Sequence, residues 1–407
     1  MHGGARPLAG VTRKAPHTTE LPTAADFSLV VGGPLYQVYR RTRLSDDGVG
    51  RLHRRIVAAV LLLWAPPMVL AAIQGGLAGA GREGQAIEDV GFQLRFLLVV
   101  PLLIIAEVIV HRRMRPIIEE FGKRRLVRPD QAARFAEANA EAARWRNAWL
   151  AEAALLAIVY AVGILFTLRR YVSLGAAAWY GSPTGGLSPA GYWLVFVSLP
   201  LLQFLLLRWY FRLAIWWIFL WRVSRLDLEL YATHPDKAGG LGFLGDSLVA
   251  FVPIAVAHGA LFAGALADRI LIGHAKLTDF NVEIAAGAVV LLLVFVGPLM
   301  VFVPRLERVK RRDVREYGAL GQDYVRGFSQ KWMSGAAPDE ALVGSGDIQS
   351  LADLGNCFSG AEQMRFAPIQ PRALVVFVAA FLVPMLPLLL TIMSPAKLVS
   401  RLVGVVF

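Results

Sequence analysis

A single cysteine, Cys357, stands among 407 residues, which excludes an intramolecular disulfide and any metal site built on several thiolates. Charged residues make up only 18% of the chain, too few to clothe a soluble protein whose hydrophobic content is 56%. Enzyme signatures are scarce as well. Neither His-Glu-x-x-His nor Gly-x-Ser-x-Gly occurs, and Cys357 has no activating base in its own segment. Nothing here points to catalysis, a metal or a cofactor. The two halves of the chain do not repeat one another, as the inverted halves of many transporters do. No cleavable signal peptide is read, because the first apolar run begins near Ile56; residues 1–25, rich in Gly, Pro, Thr and Ala, read as a disordered tail.

What the chain has in abundance is long apolar runs. Seven are read, over 56–80, 92–110, 150–168, 192–221, 247–267, 284–303 and 373–393. Only a helix of about 20 residues satisfies its backbone polar groups while crossing a bilayer. The expectation is an all-α, polytopic transmembrane helical bundle with a small cytoplasmic helical cap. Prolines at Pro66-Pro67, Pro101, Pro200, Pro253 and Pro298 should kink its helices.

The basic residues sort by gap. Gaps 1–55, 111–148, 222–246 and 305–372 hold 32 Lys and Arg, and the alternate gaps hold seven. Basic residues resist translocation, so this puts the N-terminus in the cytoplasm and the C-terminus outside. The net charge of +12 is then largely topology, and the expected partner is an anionic inner-leaflet headgroup surface, not nucleic acid. Arg far outnumbers Lys, a bias common in GC-rich bacterial genomes, and the expected location is a bacterial inner membrane.

Segment by segment, 26–55 reads as an interfacial amphipathic piece with a short helix at 34–43. Residues 56–304 form a six-span core. Within it, 111–148 is a helical hairpin broken at Arg128-Pro129, with Asp130 as N-cap and a second arm running on into the third span. Residues 305–372 carry helical patterns near 305–332 and 347–365, the second capped by Ser345 or Asp347, and are too few for an independent core. They are expected to pack on the span ends or on a second copy. Residues 373–407 supply the seventh span and an outer amphipathic tail suited to a homo-oligomer contact.

Ionisable groups inside spans are the leading functional candidates, since each is costly unless paired or hydrated. Counting residues from the span ends puts Glu107, Glu152 and Arg208 in one layer, with Arg212 a turn away. Opposite charges there could pair across helices as a polar constriction or anion site; alternatively, the arginines snorkel to headgroups. His258 falls near mid-depth, where it would relay protons, hold a ligand or simply bond a neighbouring helix.

The loop His234-Pro235-Asp236-Lys237 resembles the signature loop of J-domain co-chaperones over four residues. Its flanks depart from that family, with Trp216-Trp217 before it and a span close behind, so the likeness is set aside. The glycines that follow could form an anion-binding backbone nest beside Lys237, or a tight turn needing positive φ; His234 and Asp236 are too few for a metal. The functional expectation is a transporter or channel for a small, anionic solute. A non-transporting scaffold or signalling component and a lipid-modifying enzyme are the alternatives.

Overall fold

The structure, a computed structural model, describes residues 28–44, 50–76, 85–165, 167, 179–182, 186–271, 273–334, 341–342 and 344–391. The termini 1–25 and 394–407 lie outside the described residues. Among the described residues the regular elements are all helices. Six are long and apolar enough to cross a membrane: Leu52–Ile73 (α2), Val90–Lys123 (α3), Pro189–Ser224 (α6), Val252–Leu271 (α7), Leu277–Trp332 and Pro371–Thr391 (α11). The fifth of these is a composite, with an apolar helix Asn281–Val296 (α8), a tight turn Gly297–Phe302, and a polar helix Val303–Trp332 (α9). This is an integral membrane protein by the length and oiliness of its helices.

The third expected span opens on the apolar helix Trp149–Gly163 (α5), with helical residues again at 164, 165 and 167; residues 168–178 lie outside the described residues. It does not continue the hairpin arm before it, Ala132–Asn147 (α4), because Ala148 breaks the helix with ψ 107°. That break aims Glu152, in the first turn of α5, inward. Asp130 does not cap α4 either: its carboxylate accepts from Arg128 Nε and Gln131 Nε2. The helix Pro34–Arg41 (α1) falls where a short helix is expected, and its Leu35 amide ties it to the bundle through Glu152.

The basic gaps meet at one end of the bundle. Asp227 pairs with Arg128 at 3.1 Å and Arg305 at 2.5 Å, the Asp313 carboxylate accepts the Ala232 amide at 2.8 Å, and Lys237 donates to Gln363 at 2.7 Å. At the opposite end Asp89 accepts the Trp179 indole at 3.0 Å and Asp268 accepts the Gly91 amide at 3.3 Å.

A proline in a helix leaves the carbonyl four residues earlier without its usual amide, a costly vacancy in lipid. Here other helices supply donors. The carbonyl freed by Pro66, on Leu62, accepts the Trp193 indole at 3.1 Å, and that freed by Pro67, on Leu63, accepts the Ser198 hydroxyl at 2.7 Å. Pro200 frees the Phe196 carbonyl, which accepts the Tyr160 hydroxyl at 3.2 Å. Wider π-type turns at Leu94–Val99 and Leu194–Ser198 precede Pro101 and Pro200 and make room for their rings.

Helix α7 forms the centre, and small residues let its neighbours close in. A Cβ on Gly259 would collide with the Phe381 carbonyl of α11, and one on Gly264 would sit 3.0 Å from Gly91 Cα of α3. Outward faces are oily, with Val289, Val290 and Leu293 of α8 more than half exposed. Past Asp313, α9 leaves the body and pairs with Gly346–Glu362 (α10). Ser345 is the N-cap of α10 without a side-chain bond, and Asp347 instead ties the hairpin, accepting from Lys331 at 2.8 Å and Trp332 at 3.0 Å.

Candidate functional site

Arginines four apart on a helix share one face, and Arg208 and Arg212 of α6 both turn inward. Glu107 of α3 meets them: one carboxylate oxygen accepts Arg208 Nη1 at 2.8 Å and Arg212 Nη2 at 2.9 Å. Its other oxygen closes against Arg55, in the first turn of α2. Glu152 of α5 accepts Arg208 Nε at 2.8 Å on one oxygen and the Leu35 amide of α1 at 2.8 Å on the other. Arg208 therefore bridges both carboxylates, and Glu152 also serves as an anion at the N-terminus of α1, where a helix favours negative charge.

All five charged groups are under 9% exposed. The arginines do not snorkel; they are sealed in. Aromatic faces back them, with Tyr39 of α1 at 4.5 Å from Arg55 Cζ and Trp209 at 4.7 Å from Arg212 Cζ. Trp209 is fixed in turn by donating to the Leu103 carbonyl at 3.2 Å.

The structure thus brings together the four span charges read from the sequence, and adds Arg55, Tyr39 and Arg146. Arg55 sits in the outermost turn of its span, where it reads as one more topological charge. Arg146 donates to the Ser28 carbonyl at 2.7 Å and Asn147 Oδ1 at 3.2 Å, both uncharged acceptors. Burial pushes its guanidinium below the ordinary value. Arg146, Glu152, Arg208 and Arg212 line a void of about 10 Å³ with Gly32, Phe211 and Ile215. That is space for about one water.

His258 lies apart from this cluster. Its Nδ1 donates to the Ile254 carbonyl at 2.8 Å, which leaves Nε2 to accept the Tyr210 hydroxyl at 2.6 Å. The carbonyl cannot donate, so the neutral tautomer with the proton on Nδ1 satisfies both bonds. The arrangement is an inter-helix tie between α6 and α7.

His234, Asp236 and Lys237 also lie elsewhere, in the loop after α6. The expected nest exists, but the protein's own carboxylate fills it. Asp236 accepts the amides of Ala238 at 2.8 Å, Gly240 at 3.1 Å and Gly242 at 2.8 Å, and its own backbone amide donates to His234 Nδ1 at 3.2 Å. Burial alone would raise the Asp236 pKa; those three amides and His234 outweigh it and hold the carboxyl below its ordinary value. Positive φ at Gly239 and Gly240, 66° and 98°, lets the amides converge. Gly240, Gly242 and Gly245 have the Gly-x-Gly-x-x-Gly spacing of dinucleotide sites, but no strand leads into them and two of the amides already serve Asp236. Lys237 is committed to Gln363, and Arg365 donates to the Asp236 carbonyl at 2.7 Å, so this loop is a clasp holding the segment after α10. Among the described residues no three His, Cys, Asp or Glu side chains are placed to hold a metal ion.

The chain matches no protein family, and no curated protein or solved structure resembles it at a significant level.

Proposed function

We propose that the membrane bundle is an anchor and that the projecting hairpin of α9 and α10 is the working surface of a non-transporting scaffold or signalling component. The carrying observation is the closed ion network. The charges best placed to pass a solute are consumed by one another around about 10 Å³ of space. The hairpin is the opposite case. Leu320 and Val325 of α9 are about half exposed, and a groove of about 250 Å³ runs between the helices, lined by residues including Tyr317, Val325, Leu351, Leu354 and Phe358. Exposed apolar surface on an element that leaves the membrane suits a protein partner. The charge bias supports a cytoplasmic side for this hairpin and the N-terminus, facing anionic headgroups of a plasma membrane.

The test is paired. Photocrosslinking from Val325 and Leu351 in native membranes should trap a discrete partner, while vesicles holding the purified protein should leak halide, nitrate and phosphate no faster than protein-free vesicles. Solute flux abolished by Arg208→Ala would overturn the proposal and support the second reading, a small-anion pathway. That reading is favoured by three cluster arginines against two carboxylates.

A further inference from the structure

Charge in the buried network does not balance. Arg55, Arg208 and Arg212 carry three positive charges, and Glu107 and Glu152 carry two negative ones. A net charge held away from water is costly unless something neutralises it. Surrounding dipoles work in the same direction. The N-terminus of α1 meets Glu152 through the Leu35 amide, and α5 begins at Trp149 beside it with no side-chain cap on its first turn. Both oxygens of Glu152 are engaged by these donors and by Arg208, so its charge is already answered.

The surplus faces one place. Arg146, Arg208 and Arg212 converge on the void of about 10 Å³, whose other walls include Phe211 and Ile215. Its single carboxylate is the engaged Glu152. The apolar walls lower the local dielectric and strengthen the field of the guanidiniums. Gly32 keeps the void's edge open: its φ is +135°, and a Cβ there would run into the side chains of Arg146 and Asn147. Size then selects the occupant. The space is that of about one water, so a monatomic anion is the smallest candidate. It enters with a slight outward shift of the flexible guanidinium side chains, whereas a phosphate or sulfate would demand a far larger rearrangement.

We propose that Arg146, Arg208 and Arg212, with Gly32 at the rim, bind a single monatomic anion, chloride in the cell, which completes the charge balance of the buried network. The ion is a structural counter-charge that locks α1, α4, α5 and α6 together. It is independent of whether the hairpin recruits a partner.

The full-length protein in neutral-lipid nanodiscs, at fixed ionic strength in gluconate, is titrated with chloride and then bromide while its melting temperature is followed. A bound ion stabilises in proportion to the logarithm of its excess over Kd. The expected result is a melting temperature that climbs with halide in this way, and a halide affinity weakened roughly thirtyfold or more in Arg146→Gln. Arg128→Gln, on the same end of the bundle but outside the void, should keep the full response. Should Arg146→Gln fail to fold, bromide-soaked crystals of the parent protein decide: an anomalous peak among Arg146, Arg208 and Arg212 supports the site, and a featureless void or a water there overturns it. Identical melting in chloride and gluconate, or a halide response that survives Arg146→Gln unchanged, also overturns it.

Discussion

Replacing Glu107 by Gln tests the ion network most directly. Gln keeps the shape and removes the charge that Arg208, Arg212 and Arg55 share. The remaining charged groups would be three arginines and Glu152, raising the net buried charge from +1 to +2. Removing one partner of a buried ion pair costs about 3–5 kcal/mol, because the surviving charge stays desolvated and unanswered. Glu107 answers three guanidiniums, so the upper part of that range is expected. Thermal unfolding in detergent, read by the fraction remaining monodisperse after heating, should fall by several degrees. Arg212→Met should cost less, since it removes surplus positive charge and leaves Glu107 with two partners. The double variant should recover part of the loss, with a coupling of about 1 kcal/mol or more. Glu107→Gln melting within the error of the parent would refute the reasoning, because it would mean that water already reaches the arginines.

Other expectations follow from the packing and the clasp. Ser198→Ala leaves the Leu63 carbonyl without its donor beside Pro67 and should cost about 1–3 kcal/mol, measured against Ser198→Thr, which can still donate. Gly259→Ala forces a methyl onto the Phe381 carbonyl and should destabilise by about 1–3 kcal/mol, seen as loss of monodisperse protein, whereas Gly321→Ala, with open space around it, should be tolerated. The clasp gives a pH signature. Asp236 is held below its ordinary pKa in the folded state, so its contribution is full above the unfolded value of about 3.9 and is lost as pH falls through the folded value. Limited proteolysis of the 234–242 loop should therefore increase at strongly acidic pH, and Asp236→Asn should show that susceptibility already at neutral pH.

Much of this architecture is legible in the sequence because the bilayer imposes simple lengths. Counting along the apolar runs is enough to put Glu107, Glu152 and Arg208 at one level with Arg212 a turn away, and the structure joins all four. Arg55 escaped because a charge in the first turn of a span looks the same whether it faces headgroups or a carboxylate. The donors to the Leu62, Leu63 and Phe196 carbonyls escaped for a different reason. The prolines announce the orphaned carbonyls, but Trp193, Ser198 and Tyr160 lie on other helices, and only tertiary packing decides which donor arrives. Glycines after Asp236 did signal a nest. The aspartate two residues before Ala238 is the pattern of a side chain that bonds its own backbone, and it was the available clue to the occupant. The helix break at Ala148 had no comparable signal, since alanine is the strongest helix former.

Glu152 binds both Arg208 and the amide of Leu35, so a segment made early waits on segments made late. During synthesis Arg55 enters the bilayer before Glu107 exists, and the α2–α3 pair can form its own ion bond as soon as α3 emerges. Nothing completes the arrangement until α6 delivers Arg208, when the start of the chain can fold back and latch. Biogenesis is thereby given an order: half-built intermediates carry unanswered charge, and the finished protein hides it.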